Sequence, residues 1–398
     1  MLNASIKKMD GKKSNQHINL AIDAFNIKSG GGLSHLTEII NSYIKSPKYF
    51  DKIVIFSSSE TLKNLKSSSR IKKISTPNTS NIFYILFWQI SILPSILKRE
   101  KCNTLLVPGG SSLTFFRKKF VMFRNMLPFD NKTLLRYGIS APLLKFILLK
   151  ITITLSFYLS RGIIFLTKEA RKKIETIIST KGKKTIIIPH GIAKRFYSKP
   201  KFQKKIGYYS KKNKIKLVYV SNFDIYKNHT NLILAINMLA KDNIPLTINL
   251  IGNVNTPYNK NYSNKTQNLI NHINNKFSGL VKIKENVSYS KIHKEYLKSD
   301  IFVYASTCEN MPNILLESMA SGLPIACSNY APLKEILGRS GLYFNPQSIT
   351  SIHKCLKKII QDHELRTKLA KESFKKAKKY SWEESCRKLL KFIYIASK

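Results

Sequence analysis

The sequence predicts an α/β fold built on parallel strands, and three observations carry that expectation. Short apolar runs alternate with helical stretches along the chain. Glycines cluster where strands end, at Gly30-Gly31-Gly32 and at Pro108-Gly109-Gly110. The stretch 304–327 reads as strand end, polar loop, helix, glycine stop and strand. At 398 residues the chain is long enough for two domains with full cores.

Taken in order, residues 18–24 are a first strand running into Asp23-Ala-Phe-Asn-Ile-Lys-Ser-Gly30, with a helix after the glycines. His35, in that helix's first turn, reads as a structural histidine ahead of a site residue. Residues 52–56 are a second strand, and 83–97 an apolar, aromatic helix broken at Pro94. Residues 104–107 and 119–123 are strands, the second leading to Arg124-Asn125. Residues 141–159 are apolar enough to resemble a membrane span. Yet Lys145 and Lys150 lie inside the stretch, and burying each at a membrane centre costs about 2.5–3.5 kcal/mol. A core helix with an exposed lysine edge is the first choice, an interfacial helix the second, a true span a distant third. Residues 162–166 form a strand, and Thr167 caps the next helix. Residues 185–188 form a strand ending in Pro189-His190-Gly191, and the basic run 194–216 reads as a connection.

The second half repeats the alternation. Strands are expected at 216–220, 246–252, 281–285, 301–305 and 323–327, with a polar loop at 258–265. Helices are expected from Thr230, at 268–277, 292–297, 333–337, 349–377 and 382–395.

Composition bounds the partners. Apolar residues make up 43 %, normal for a folded chain, but the net charge of +46 is not normal. Nucleic acid, an anionic membrane or an anionic substrate would suit it. At least half of the excess reads as compositional drift, since Lys, Ile and Asn are all abundant. Residues 1–200 hold 9 of the 22 acidic residues, so the first half is the more cationic. Five scattered cysteines without a C-x2-C pair fit a reducing cytosol, and residues 1–16 are polar, unlike a signal peptide.

The chemistry concentrates in Glu309-Asn310-Met311-Pro312-Asn313-Ile314-Leu315-Leu-Glu317. Pro312 suits a helix start, and Glu309 falls in the loop before it. Glu317 lies about one turn into the helix. The two carboxylates converge only if both look toward the crevice at the strand ends, where open α/β sheets bind ligands. The N–H groups of Asn313 to Leu315 would make an anion site there.

This stretch, continued by Met319-Ala-Ser-Gly-Leu-Pro324, Glu335 and Gly341-Leu-Tyr-Phe-Asn-Pro346, resembles the Glu-x7-Glu signature of retaining glycosyltransferases of family 4. The resemblance runs from about 18 to 396 and is strongest over 285–346. It implies a GT-B fold, two Rossmann-like domains facing each other across a cleft. Residues 1–200 would bind the acceptor and 201–380 the nucleotide sugar, with 381–398 crossing back to the first domain. It implies transfer of a hexose, mannose favoured, from a nucleoside-diphosphate sugar, without a metal or other cofactor. Glu309 and Lys227 become the candidate catalytic residues, Glu309 holding sugar hydroxyls. Glu317 would hold the ribose, and Gly31, Gly32, Asn222, Asn310, Met311, Pro312, Asn313, Ile314 and Leu315 line the donor. Asn125 and His190 are candidate acceptor or sugar contacts.

Two departures stand out. Arg124 lies where many relatives carry a histidine. Ser221-Asn222 stands where the family has Gly-Arg, so Lys227 must carry more of the diphosphate charge. The wider pattern resembles bacterial transferases building O-antigen or capsule units on a polyprenyl diphosphate lipid. That implies a cytoplasmic enzyme, peripheral on the inner face of an anionic membrane. Arg117, Lys118, Lys119, Arg136, Lys145, Lys150 and Arg161 lie in or beside apolar segments, so salt-sensitive association through residues 80–161, without a spanning helix, is expected. No nucleic-acid partner is expected, because no nucleic-acid motif accompanies the charge. The alternatives are a silent nucleotide-sugar-binding subunit and a basic nucleic-acid-binding protein.

Overall fold

The computed structural model describes residues 18–28, 30–46, 49–77, 79, 81–254 and 260–398. The expected absence of a signal peptide at 1–16, and the start of the expected loop at 258–265, lie outside them. The chain forms two compact units, one of residues 1–125, 148–190 and 382–398, the other of 126–147 and 191–381. Residues 126–147, expected in the first domain, thus group with the second.

The first unit is a seven-stranded parallel sheet. In chain order the elements are β1 (Asn19–Asp23), α1 (Gly30–Lys45), β2 (Lys52–Ser57), α2 (Ser59–Lys63), β3 (Ile71–Ser75), α3 (Ile82–Phe87), α4 (Leu93–Arg99), β4 (Cys102–Val107) and β5 (Lys119–Met122). α5 (Asn131–Leu135) and the start of α6 (Ala141–Tyr158) group with the second unit; the first resumes with the rest of α6, then β6 (Gly162–Phe165), α7 (Lys168–Glu175) and β7 (Lys184–Ile187). The strand order is β3-β2-β1-β4-β5-β6-β7. Sequence reading missed β3, whose alternating Lys72-Lys73 gives no apolar run. The break expected at Pro94 is a π turn over Trp88–Ile92, with Pro94 in the first turn of α4, where its missing N–H costs nothing.

The second unit is a six-stranded parallel sheet. It contains β8 (Ile215–Val220), α8 (His229–Lys241), β9 (Leu246–Ile251), α9 (Lys260–Lys276), β10 (Val281–Lys284), α10 (Ile292–Leu297) and β11 (Ile301–Tyr304). Then follow α11 (Asn313–Ala320), β12 (Ile325–Ser328), α12 (Ala331–Leu337), β13 (Leu342–Phe344), α13 (Ile349–Gln361) and α14 (His363–Ala377). The final helix, α15 (Trp382–Ser397), belongs to the first unit. The helix expected at 268–277 already starts at Lys260. Its polar first turns are held by Ser263, whose hydroxyl donates to Val254 O at 2.7 Å, and by buried Thr266. The single helix expected over 349–377 is two, divided at Asp362, which caps α14 through Leu365 N at 2.8 Å.

Strand order in the second sheet is β10-β9-β8-β11-β12-β13. The chain therefore reverses direction across the sheet between β8 and β11, the switch point where loops after two neighbouring strands part and leave a crevice. β11 is buried throughout and β8 is buried except at Lys216 and Val220, with Tyr219, Phe302 and Tyr304 in the core.

Helix α11 ends where Gly322 turns left-handed at φ +67°. A Cβ there would lie 2.7 Å from Pro200 N and 2.8 Å from Ser198 O. Ser198 N donates to Ala320 O at 2.9 Å, so the helix end and the 198–200 backbone interlock. The left-handed conformation costs about 1–2 kcal/mol for an L side chain, and the backbone clash adds to it. We expect Gly322→Ala to lower the midpoint of urea unfolding markedly, with at least ~2 kcal/mol lost. An unchanged midpoint would mean that the 198–200 backbone is not held there.

Candidate functional site

The second unit's switch point gathers most of the predicted residues. β8 and β11 pair directly, Leu217 against Ile301 and Val218 against Phe302. The loops beyond them are laced together. Thr307 N and Thr307 Oγ1 donate to Tyr226 O at 2.8 and 3.0 Å, and Asn228 Nδ2 donates to Ala305 O at 2.8 Å. Asn228 adopts φ +52°, a left-handed turn that asparagine tolerates and that opens α8.

That lacing sets Lys227 against Glu309. Lys227 Nζ donates to Glu309 Oε1, and the two side chains are only 12 % and 14 % exposed. Ser306 Oγ donates to the same Glu309 oxygen at 2.7 Å. Burial pulls the Lys227 pKa down, but Glu309, Tyr219 and Asp224 outweigh it, so the ammonium holds its proton more tightly than an ordinary lysine. Beneath it His229 is buried and stacked on Phe223 at 4.1 Å, and burial lowers its pKa to about 3.

Glu317 faces a different environment. It is buried, its Oε1 accepts from Tyr289 Oη at 2.8 Å, and its Oε2 accepts from Tyr296 Oη at 3.3 Å. The Arg195 guanidinium lies 4.5 Å over the Tyr289 ring. Burial raises the Glu317 carboxyl to about 7, against the two tyrosine hydroxyls, which favour its charge. The two glutamates thus have separate sets of partners. Each carboxylate has lone pairs to spare for a ligand hydroxyl.

Pro312 is the residue just before α11, and Asn310, Met311, Pro312 and Leu315 are buried. The Leu315 N–H turns back on Pro312 O at 3.2 Å, which removes it from the expected anion site. Among the described residues, the N–H groups of Asn313 and Ile314 have no protein acceptor, and Asn313 Oδ1 is a buried acceptor without a donor. Asn222 Oδ1 accepts from Asn253 N at 3.0 Å, so that side chain braces the neighbouring loop. Among the described residues no group of three or more His, Cys, Asp or Glu could hold a metal ion.

Sequence reading missed Arg136 here. Its Nη2 donates to Ile225 O at 2.7 Å and to Asn228 Oδ1 at 2.8 Å, and its Nη1 reaches Thr307 Oγ1 at 3.2 Å. Tyr137 Oη donates to Asp224 Oδ1 at 2.6 Å, and Tyr330 Oη donates to Asp130 Oδ2 at 3.0 Å. One arginine therefore ties three points of the two loops that present Lys227 and Glu309. Nothing local in the sequence marks it, because its partners lie 89 to 171 residues away.

The remaining predicted residues belong to the first unit. Gly31 and Gly32 lie in the first turn of α1, not in a free loop, with Gly30 at φ +63° before them. A Cβ on Gly32 would lie 3.6 Å from Arg124 Nη1, and burial lowers that arginine's pKa to about 10. Asn125 is exposed. His190 is buried, its ring 4.9 Å from His35 and 5.4 Å from Trp382. Burial holds both histidines well below the ordinary pKa, so His190 is a packed core residue and not an open sugar contact.

Residues 199–376 match the glycosyl transferases group 1 family. The region covers β8 to α14, with both loops of the switch point. Sulfoquinovosyl transferase SQD2 of Arabidopsis thaliana is 27 % identical over 112 residues, 27 % of this chain and 22 % of that protein. O-antigen chain mannosyltransferase B of Escherichia coli is 33 % identical over 88 residues, 22 % of this chain and 23 % of that protein. Each alignment spans less than a quarter of the relative's own length. The structure of Anabaena Alr3699/HepE in complex with UDP and glucose superposes with a TM-score of 0.71 at 13 % identity, covering 94 % of this chain and 98 % of that one. Such a likeness shows the fold, and the fold is GT-B, two parallel-sheet α/β domains.

Two outcomes follow from these contacts. Arg136→Ala should lower the unfolding free energy by roughly 1.5–3 kcal/mol, the loss of charge-assisted hydrogen bonds to half-buried acceptors. Arg136→Lys should recover part of it in urea unfolding; equal midpoints in all three proteins would mean that Arg136 does not brace the two loops. For Glu317, the folded carboxyl titrates near 7 and the free one near 4.5. Between those values the folded protein holds the extra proton, so stability falls as pH rises through the window, by up to about 1.4 kcal/mol per unit. Glu317→Gln should flatten that slope in urea unfolding between pH 5 and 7.5, and an unaltered slope would place its titration elsewhere.

Proposed function

We propose that the chain is a retaining glycosyltransferase that moves a hexose from a nucleoside-diphosphate sugar to a lipid-linked or surface-polysaccharide acceptor. The observation that carries this reading is the Lys227–Glu309 pair at the switch point of a domain that matches group 1 glycosyl transferases. Retention rests on the resemblance of Glu309-x7-Glu317 to family 4. Mannose is favoured by the likeness to O-antigen chain mannosyltransferase B, and a nucleotide donor by the UDP bound in the Anabaena protein of the same fold.

In this reading the bond between the anomeric carbon and the diphosphate oxygen breaks, and the acceptor oxygen takes its place on the same face. The acceptor's proton passes to the leaving diphosphate. Negative charge grows on that diphosphate, and fixed donors aimed at it lower the barrier. Lys227 and the N–H groups of Asn313 and Ile314 supply them. Glu309 accepts hydrogen bonds from the sugar hydroxyls while Ser306 and Lys227 hold its orientation. Glu317, braced by Tyr289 and Tyr296, accepts from the ribose hydroxyls. No resident cofactor takes part. A lipid-linked acceptor makes the enzyme cytoplasmic and peripheral on the inner face of the membrane.

A panel of nucleotide sugars scored for thermal stabilisation identifies the donor, and Glu309→Gln tests the role of the pair. We expect one nucleotide sugar to raise the melting temperature of both proteins and product to form only with wild type, with a turnover loss of about 100-fold or more. Donor binding with no product from wild type and any glycan acceptor would favour a silent binding subunit. Full activity in Glu309→Gln would refute the assignment.

A further inference from the structure

The core-helix expectation for α6 is overturned: only 17 % of the helix is buried. Its exposed side is apolar. In the part of α6 that belongs to the first unit, Leu148, Ile151, Leu155 and Tyr158 recur at helical spacing, between 44 % and 57 % exposed. A second apolar face lies on α3 and the π turn, where Phe83, Phe87 and Ile90 are exposed, and Phe115 stands 71 % exposed on the loop after β4. That loop fastens the two elements to each other through their buried sides. Ser112 N donates to Ser156 Oγ of α6 at 3.1 Å, and the next residue, Leu113, donates its N–H to Gln89 Oε1 of the π turn at 3.0 Å.

We infer that these two helix faces and Phe115 form one monotopic docking surface for an anionic lipid bilayer. Exposed apolar area on this scale marks an interaction site, and the charge around it selects the partner. Within the first unit, residues 61–125 and 148–168 carry 15 Lys and Arg against one acidic residue, Glu100, which is paired with Lys52 and Lys72. A second copy of the chain would bring a like excess of cations, whereas anionic lipid neutralises it.

The helix lies in the interface and does not cross it. Ile153, Ser156 and Phe157 anchor its second half in the protein, with the Phe157 ring 5.9 Å from Phe123. Spanning would strip these contacts and bury Lys145 and Lys150.

The cations counted on from sequence are fewer than expected. Lys119 is buried, donating to Ser112 O and Thr114 O at 2.8 and 2.9 Å, and burial lowers its pKa to about 8. Arg136 braces the second unit's loops, and Arg161 Nε donates to Ala396 O at 2.5 Å. Apolar insertion therefore outweighs charge, and salt alone does not release the protein. This deepens the peripheral location proposed above and rests on it for its purpose, delivery of a lipid-linked acceptor.

The test is flotation of the full chain with phosphatidylcholine vesicles, with and without phosphatidylglycerol. It needs no turnover, so it fails or succeeds apart from the donor panel. We expect flotation with the anionic vesicles that is only partly lost in about 1 M salt, where screening acts within ~3 Å. Carbonate should release the protein. Ile151→Glu/Leu155→Glu should weaken binding about a hundredfold, each exposed aliphatic being worth tenfold or more. Phe115→Ser should weaken it independently, and both variants should melt as wild type because the sites are exposed. Equal flotation of the variants, resistance to carbonate, or a dimer in solution that the same variants dissociate would each overturn the inference.

Discussion

β8 and β11 are separated by 80 residues of chain and lie side by side in the sheet, and the chemistry of the second unit depends on that crossover. Parallel neighbours must end on the same edge, so the loops after both strands leave together. Backbone and side-chain hydrogen bonds then fasten loop to loop through Tyr226, Thr307, Asn228 and Ala305. Lys227 and Glu309 meet because those loops have no other course.

Burial gives the pair its character. A lysine and a carboxylate in open water attract weakly, by ~0–1 kcal/mol. Here both are largely withdrawn from solvent, and Ser306 fixes the carboxylate further. A charged pair held in place before any ligand arrives costs no reorganisation when charge develops beside it. Glu317 shows the opposite balance. Burial wins over two tyrosine hydroxyls, and the carboxyl lies near its own titration point at neutral pH. The two glutamates of one motif thus have different neighbours, an ammonium for Glu309 and two phenols for Glu317.

The first unit uses charge differently. Asp23 at the end of β1 is buried, and its carboxyl is raised to about 6. Lys119 is buried with both of its named hydrogen bonds going to backbone carbonyls. These groups hold the strand-end loops from inside. The exposed sides of α3 and α6 carry apolar residues, Phe83, Phe87, Ile151 and Leu155 among them, although the chain is rich in lysine.

How much of this was legible in the sequence follows from range. Strands β8, β9, β11 and β12 were readable from their apolar runs, and α11 from Pro312 and Gly322, because those signals act within a few residues. Loop-and-helix spacing put the two carboxylates near a strand end, whereas Lys227 was singled out only by the family resemblance, because one lysine after a strand is otherwise unmarked in so basic a chain. The fold class followed from the alternation of elements with glycine turns. What only the tertiary structure decided depends on partners far away in the chain. Arg136 braces residues 89 to 171 positions distant, and no local pattern distinguishes it from another surface cation. His190, a candidate contact by resemblance, packs on His35 and Trp382, from opposite ends of the chain. The apolar stretch of α6 has the same composition whether it faces a core or a membrane. Burial is a property of what surrounds a side chain, and for α6 that is set by only three anchoring residues, Ile153, Ser156 and Phe157.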